Sequence, residues 1–134
     1  METIRTEYLG DLRTKAIHVQ SGNEILTDAP VDNNGKGEYF SPTDLVAAAF
    51  GSCMLTVIGI VANRSTFSID GTQIKVTKVM ASDPRRIGEI IVELNFPHNN
   101  YSDKEKEIIK HTALTCPVAK SLHPDLKQTL IFNF

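Results

Sequence analysis

Two cysteines are the residues of this sequence whose chemistry is most easily stated. Cys53 lies in the apolar segment FGSCMLTVIGIV, residues 50–61, and Cys116 directly precedes Pro117. A cysteine in an apolar segment is often an inert, buried side chain. A thiolate is a nucleophile, and the free N–H groups of a helix start, which we expect at Cys116, favour the thiolate form. The residues alone leave both interpretations open for the pair.

A reactive thiol at Cys53 needs a neighbouring cation, because burial alone raises the pKa of a thiol. The candidate is Arg13, in the segment RTKAIHVQSG, which alternates as a strand does. Arg13 shares its parity with Ile17 and Val19, which predicts that its side chain points to the buried side of the strand. Arginine keeps its charge when buried and offers a planar fork of donors.

The histidines show no pattern that predicts a metal site. Around the two cysteines there is no C-x-x-C or H-x-x-x-H spacing of the kind that holds zinc. A site built from two cysteines and two histidines is the alternative, but we expect neither a metal nor a bound cofactor. The sequence also lacks a glycine-rich phosphate loop and a Ser-His-Asp signature. The four histidines are His18, His98, His111 and His123.

The composition predicts one domain without a nucleic-acid or membrane partner. A length of 134 residues fits a single domain, residues 1–134. A net charge of −2 and a pI near 6.1 give no electrostatic reason to expect binding to nucleic acid or to an anionic membrane. The segment METIRTEYLG has no basic-then-apolar signal pattern, so we expect a cytoplasmic protein. There the cysteines rest as thiols, although a pair that cycles between thiol and disulfide remains open.

The apolar run over residues 45–62 is long enough to raise the question of a membrane span. It contains Gly51, Ser52, Thr56 and Gly59, and the flanking segments have the pattern of amphipathic strands. A helix that is apolar on all sides can also lie in a protein core. We therefore predict a buried helix here.

Capping signals place two helices in the chain. Ser41 followed by Pro42 predicts a long helix over residues 42–63, with Cys53 near its middle. Ser102 with Glu105 forms a capping box that opens a second helix, and Cys116 is predicted to end that helix and to cap a short third one. Strands are predicted in RTKAIHVQSG, in SGNEILTDAP, on both sides of SDPRR and in LKQTLIFNF. This order predicts an α+β domain whose helices pack on an antiparallel sheet.

The segments SPTDLVAAAFGSCMLTVIGIVA and LTCPVAKSLHPDL together resemble the OsmC/Ohr family, named for osmotically inducible protein C and organic hydroperoxide resistance protein. The resemblance extends over essentially the whole chain. It implies an OsmC-like fold, in which antiparallel sheets wrap around a long central helix that carries the first cysteine. It also implies an intertwined homodimer with its active sites at the interface.

The resemblance further implies a peroxidase that reduces organic hydroperoxides in oxidative-stress defence. In that scheme the Cys53 thiolate attacks the hydroperoxide, Arg13 activates it, and Cys116 condenses with the resulting sulfenic acid to form a disulfide. An external dithiol, for example on a lipoylated protein, reduces the pair again. The substrate implied is a small hydrophobic peroxide, and no metal or cofactor takes part.

One position departs from the family pattern. Hydroperoxidases of the family carry a glutamate ten residues before the first cysteine, paired to the activating arginine, and here that position is Thr43. Asp44 is adjacent but points about 100° away around a helix. Glu38, in the preceding loop, is the candidate that reaches in. The missing glutamate motivates the alternative of a non-catalytic protein of the same fold that binds a small hydrophobic ligand or senses redox state.

Overall fold

The computed structural model describes all 134 residues, which form two three-stranded sheets and three α-helices. By its internal packing the chain divides into an N-terminal unit, Met1–Val46, and a C-terminal unit, Ala47–Phe134. A single domain over residues 1–134 stays a prediction. The elements in chain order are β1 (Ile4–Gly10), β2 (Arg13–His18), β3 (Glu24–Asp28), a 3₁₀ turn (Val31–Asn33), α1 (Pro42–Arg64), β4 (Gln73–Ala81), β5 (Arg86–Asn95), α2 (Asp103–Ala113), α3 (Pro117–Ser121) and β6 (Lys127–Asn133).

The N-terminal unit is an antiparallel sheet in the order β1-β2-β3, followed by a loop that leads into α1. The two predicted strands are confirmed as β2 and β3, whereas β1 was not foreseen. Both faces of β1 mix apolar and polar side chains, so the strand lacks the apolar–polar alternation that predicts a half-buried strand. In the register of β2 and β3, Arg13 lies directly opposite Asp28.

Helix α1 begins where the sequence predicted it. The Ser41 hydroxyl accepts a hydrogen bond from the Asp44 N–H at 3.1 Å, and the Asp44 carboxylate accepts one from the Ser41 N–H at 3.0 Å. These two bonds satisfy N–H groups that have no partner within the helix, and Pro42 at the first position has no N–H to satisfy. The helix ends at Arg64, one residue beyond the predicted end.

The C-terminal unit is a mixed sheet, which corrects one detail of the predicted fold. Strands β4 and β5 form the antiparallel hairpin expected around SDPRR, but β6 lies parallel to β5 rather than antiparallel. The chain passes through α2 and α3 between these two strands. A parallel strand must start at the same end of the sheet as its neighbour. The long connection through α2 and α3 returns the chain to that end, which a short turn cannot do.

A single apolar core fills the C-terminal unit. On α1 the largest fully buried side chains are Phe50, Met54 and Ile58, and they join Ile90, Val92 and Leu94 of β5 in one cluster. Gly51 lets the helix approach β4 closely: a Cβ there would lie 2.6 Å from Ile74 Cδ1 and 3.1 Å from Val76 Cγ2. The buried residues of α1 thus lie on the face that packs against the C-terminal sheet.

The opposite face of α1 is open in the single chain. By length and composition α1 passes the criteria for a membrane-crossing helix, yet 33% of its most apolar window is buried within the protein. The buried part fits the expectation of a core helix. The exposed part is a run of mostly small side chains, in which Ile60 keeps 47% of its surface exposed. Its members are Ala48, Ala49, Ser52, Thr56 and Ile60.

Candidate functional site

Helix α1 presents Cys53 at the border between its buried and exposed faces. The thiol packs against the buried cluster of the C-terminal unit and keeps a partly exposed surface. Met54, the next residue, is fully buried, whereas Ser52 before it is exposed. Cys53 is thus shielded by apolar neighbours on one side and accessible on the other, which is the environment that a small apolar reactant needs.

The junction between α2 and α3 places Cys116. The capping box of Ser102 and Glu105 opens α2 as predicted. The helix ends at Ala113, three residues before the predicted end, because Leu114 and Thr115 form tighter turns back to His111 and Thr112. Cys116 then caps α3 with φ −54° and ψ 128°, outside the helical region, as the position before a proline favours. Unlike Cys53, its side chain has no exposed surface.

The two thiols are near enough to influence each other electrostatically, although they come from distant parts of the chain. Burial raises the pKa of the Cys116 thiol, and the Cys53 side chain raises it further. The Ala119 and Val118 backbone amides act in the opposite direction and are outweighed. Cys116 is therefore held as a neutral thiol beside the more accessible Cys53.

Arg13 is the centre of a charged cluster in the N-terminal unit. Its Nε donates to Asp28 Oδ1 at 2.7 Å and its Nη2 to Asp28 Oδ2 at 2.9 Å, in a bidentate pair. The Tyr39 ring lies against the guanidinium, 4.7 Å from its carbon to the ring centroid. The Arg13 side chain is 24% exposed and the Asp28 side chain is 1% exposed.

Asp28 is the residue that sequence reasoning missed. Hydrogen bonds from Arg13 lower the pKa of Asp28, and Asp28 in turn raises the pKa of Arg13, so both are charged at neutral pH. The register of the predicted hairpin could have identified Asp28 as the partner of Arg13. Counting outward from the turn between the two predicted strands pairs Arg13 with the aspartate of LTDAP.

Thr43, where the glutamate is missing, and the two acidic residues considered in its place have different surroundings. Glu38 approaches Arg13, with Oε2 3.5 Å from Nη2, but its side chain is 60% exposed. Asp44 caps α1. Thr43 places its hydroxyl 3.2 Å from that of Ser41. The acidic group that holds Arg13 most closely is thus on a neighbouring strand and not on the helix.

Two of the four histidines have ring partners of their own. His98 stacks on the Tyr101 ring, and the His18 ring bonds the Ser21 hydroxyl. His111 and His123 are exposed. No three His, Cys, Asp or Glu side chains converge in a way that could hold a metal ion.

Comparison with known structures gives close relatives in architecture. A candidate osmotic stress induced and detoxification response protein from Psychrobacter arcticus is 57% identical; the match covers 98% of this chain and 96% of that one, with a TM-score of 0.94. An organic hydroperoxide resistance protein OsmC from Legionella pneumophila, also described as a predicted redox protein, is 14% identical; the match covers 100% of this chain and 98% of that one, with a TM-score of 0.79. An organic hydroperoxide resistance protein from Elizabethkingia anophelis is 16% identical; the match covers 99% of this chain and 96% of that one, with a TM-score of 0.76.

Comparison with family models agrees with the architecture. The model of the OsmC-like protein family matches residues 35–130, a stretch that includes both cysteines and most of the chain. Comparison with curated proteins finds no match. The structures at 14% and 16% identity share the fold, and the family model and the 57% identical relative match the sequence itself. This chain belongs to the OsmC family.

Proposed function

We propose that this protein is a cysteine-based peroxidase that reduces organic hydroperoxides in oxidative-stress defence. The observation that carries the proposal is the proximity of a partly exposed thiol, Cys53, to a fully buried one, Cys116. A thiol that meets substrate must be accessible, and one that only forms a disulfide afterwards need not be. Relatives of the same fold named for organic hydroperoxide resistance support the same chemistry.

The reaction proceeds in three balanced steps. The Cys53 thiolate attacks one oxygen of ROOH, the O–O bond breaks, and Cys53 becomes a sulfenic acid while ROH leaves after taking up a proton. The Cys116 thiol then attacks that sulfur, which forms a disulfide and releases water. An external dithiol reduces the disulfide by thiol exchange and is itself oxidised to a disulfide.

Arg13 is proposed as the cation that activates Cys53, with Glu38 as a peripheral member of its cluster. A guanidinium favours a thiolate over a thiol, and it offers donors to the oxygen on which charge develops as the O–O bond breaks. The side chains around Cys53 are apolar, which suits a hydroperoxide with an alkyl or aryl group better than hydrogen peroxide.

The functional unit is proposed to be a cytoplasmic homodimer, with a dithiol, for example on a lipoylated protein, as its reductant. The open face of α1 and the exposed apolar side chains of the N-terminal unit, including Ile4, Tyr8 and Phe40, support an extensive partner surface.

The variant Ile60→Glu, on the open face of α1, is expected to shift the native mass from dimer to monomer. A wild-type protein that is monomeric at every concentration contradicts this part of the proposal.

The experiment that tests the activity combines turnover with intact mass. Purified protein should consume cumene hydroperoxide in the presence of a dithiol, and Cys53→Ser should abolish the consumption. One equivalent of peroxide without the dithiol should remove two hydrogens from the wild-type chain. Cys116→Ser should gain one oxygen at Cys53 instead, because the sulfenic acid then has no thiol to condense with.

Two other outcomes identify the alternatives. Disulfide formation without reduction by any dithiol tested identifies a redox sensor, and the absence of any peroxide reaction identifies a non-catalytic binding protein. Undiminished turnover of Cys53→Ser overturns the proposal altogether. The mass readout distinguishes these cases on the same samples.

A further inference from the structure

We infer that Asp28 is the positioning residue for Arg13, and that it orients the guanidinium in place of the glutamate that the sequence lacks at Thr43. The inference rests on the proposed function, because it assigns a residue to the activation of the same thiol. The two side chains form a bidentate pair, in which the two carboxylate oxygens of Asp28 accept from two different nitrogens of Arg13. Such a pair fixes the direction of the guanidinium as well as its distance.

Asp28 is itself held firmly, which a positioning residue requires. Its backbone N–H donates to the Phe40 carbonyl at 3.1 Å, and its Oδ2 accepts a second hydrogen bond from the Glu38 N–H, also at 3.1 Å. The carboxylate is almost fully buried at the end of β3. Glu38, in contrast, touches Arg13 through one oxygen at 3.5 Å from an exposed side chain, so its carboxylate is free to move into solvent.

The pair also decides which edge of Arg13 is presented to a reactant. Asp28 occupies the edge formed by Nε and Nη2, and the Tyr39 ring lies against the guanidinium. The N–H groups that Asp28 does not engage are the two of Nη1 and the outer one of Nη2, and Glu38 Oε2 lies 3.5 Å from Nη2. An anion bound by Arg13, whether a thiolate or a developing alkoxide, therefore meets the end of the guanidinium that carries Nη1.

Charge and orientation predict opposite effects when Asp28 is changed. The Asp28 carboxylate offsets the charge of Arg13, so if only the field mattered, replacing Asp28 by asparagine would strengthen the cation and speed up reactions of the Cys53 thiolate. If orientation matters, the same change releases the guanidinium and slows these reactions. A displacement of about 1 Å in a positioning group can lower a rate by about 100-fold. The sign of the effect therefore separates the two mechanisms.

The test uses two readouts on the intact protein. For Asp28→Asn we expect kcat for cumene hydroperoxide to fall by about 10- to 100-fold, with a smaller change in KM. The iodoacetamide alkylation of Cys53 should also slow at pH 7, and its pH profile should move upward. Glu24→Gln, an acidic residue at the other end of the same strand, is the matched control and should change neither readout by more than about two-fold.

A double-mutant cycle shows whether Asp28 acts through Arg13. In an Arg13→Met background, Asp28→Asn should cause no further loss of kcat, because the side chain that it positions is gone. Asp28→Glu keeps the charge and moves it by one methylene. It should recover part of the lost rate, and it replaces Asp28→Asn in the cycle if that variant does not fold.

The outcomes separate this inference from the proposed function. Wild-type protein that turns over no peroxide overturns the proposed function, and the alkylation profile still tests Asp28. Wild-type turnover together with unchanged kcat and an unchanged alkylation profile in the Asp28 variants overturns the inference alone. Faster alkylation of Cys53 in Asp28→Asn also overturns the inference. So does a further loss of kcat when Asp28→Asn is added to Arg13→Met.

Discussion

The N-terminal and C-terminal units bury different kinds of side chain. In the N-terminal unit the buried residues are Thr27, Asp28 and Ser41, all polar, and each is hydrogen-bonded. In the C-terminal unit the buried set is almost wholly apolar, from Phe50 on α1 to Ala119 on α3. One unit is held by directed hydrogen bonds and the other by close packing.

This difference matches the chemistry proposed for each unit. A guanidinium must be oriented, and hydrogen bonds to Asp28 fix an orientation, since they depend on angle as well as distance. A pair of thiols must be brought together and shielded from water, and non-directional apolar packing around Cys53 and Cys116 does that. The comparison predicts where substitutions cost stability and where they change reactivity.

The largest expected effect is in the packed unit. Phe50→Ala should lower the free energy of unfolding by about 3–5 kcal/mol, because it empties a fully buried site. Ile25→Ala, in the N-terminal unit and 50% exposed, should cost less than about 1 kcal/mol. Urea denaturation at one fixed protein concentration measures both. Equal losses of unfolding free energy would contradict the difference between the two units, since they would reveal an apolar core around Ile25 as well.

The two thiols should differ in accessibility by a large factor. We expect iodoacetamide to modify Cys53 at least about 10-fold faster than Cys116 in the folded protein, because Cys116 is buried and its raised pKa keeps it neutral. In urea the two rates should become similar. Peptide mass spectrometry after timed quenching measures both, and comparable rates in the native state would contradict the contrast between them.

Two glycines of α1 sharpen the contrast between its packed and open faces. A Cβ at Gly59 meets nothing within 4 Å, so Gly59→Ala should stabilise the protein by about 0.5–1 kcal/mol through helix propensity. A Cβ at Gly51 would overlap Ile74, and Gly51→Ala should be less stable than Gly59→Ala by about 1–3 kcal/mol. Thermal unfolding of the two variants compares them directly, and equal stabilities would show that α1 can move away from β4.

The smallest expected effect concerns acid stability. Arg13 holds the pKa of Asp28 below its usual value, so the pair stabilises the fold above about pH 4 and loses that contribution as the pH falls through the lowered value. Asp28→Asn lacks this contribution at every pH. Its melting temperature should therefore fall less steeply below pH 4 than that of the wild type, and parallel profiles would exclude the pair as a source of acid sensitivity.

The local features of this protein were predictable because they depend on neighbours in sequence. The Ser41 cap, the Ser102–Glu105 capping box and the strand in RTKAIHVQSG each follow from side chains within a few residues of one another. The errors have equally physical causes. β1 lacks a regular alternation, and the direction of β6 depends on how far α2 and α3 carry the chain, which no local pattern encodes.

For the candidate site, the sequence by itself determined the reactive residue types: two thiols, one arginine on a half-buried strand, and the absence of a glutamate at Thr43. Only the tertiary structure decided which of these meet. Cys53 lies near Cys116, and Arg13 binds Asp28, because folding brings distant segments together. Proximity of that kind is set by the packing of whole elements rather than by any short stretch of residues.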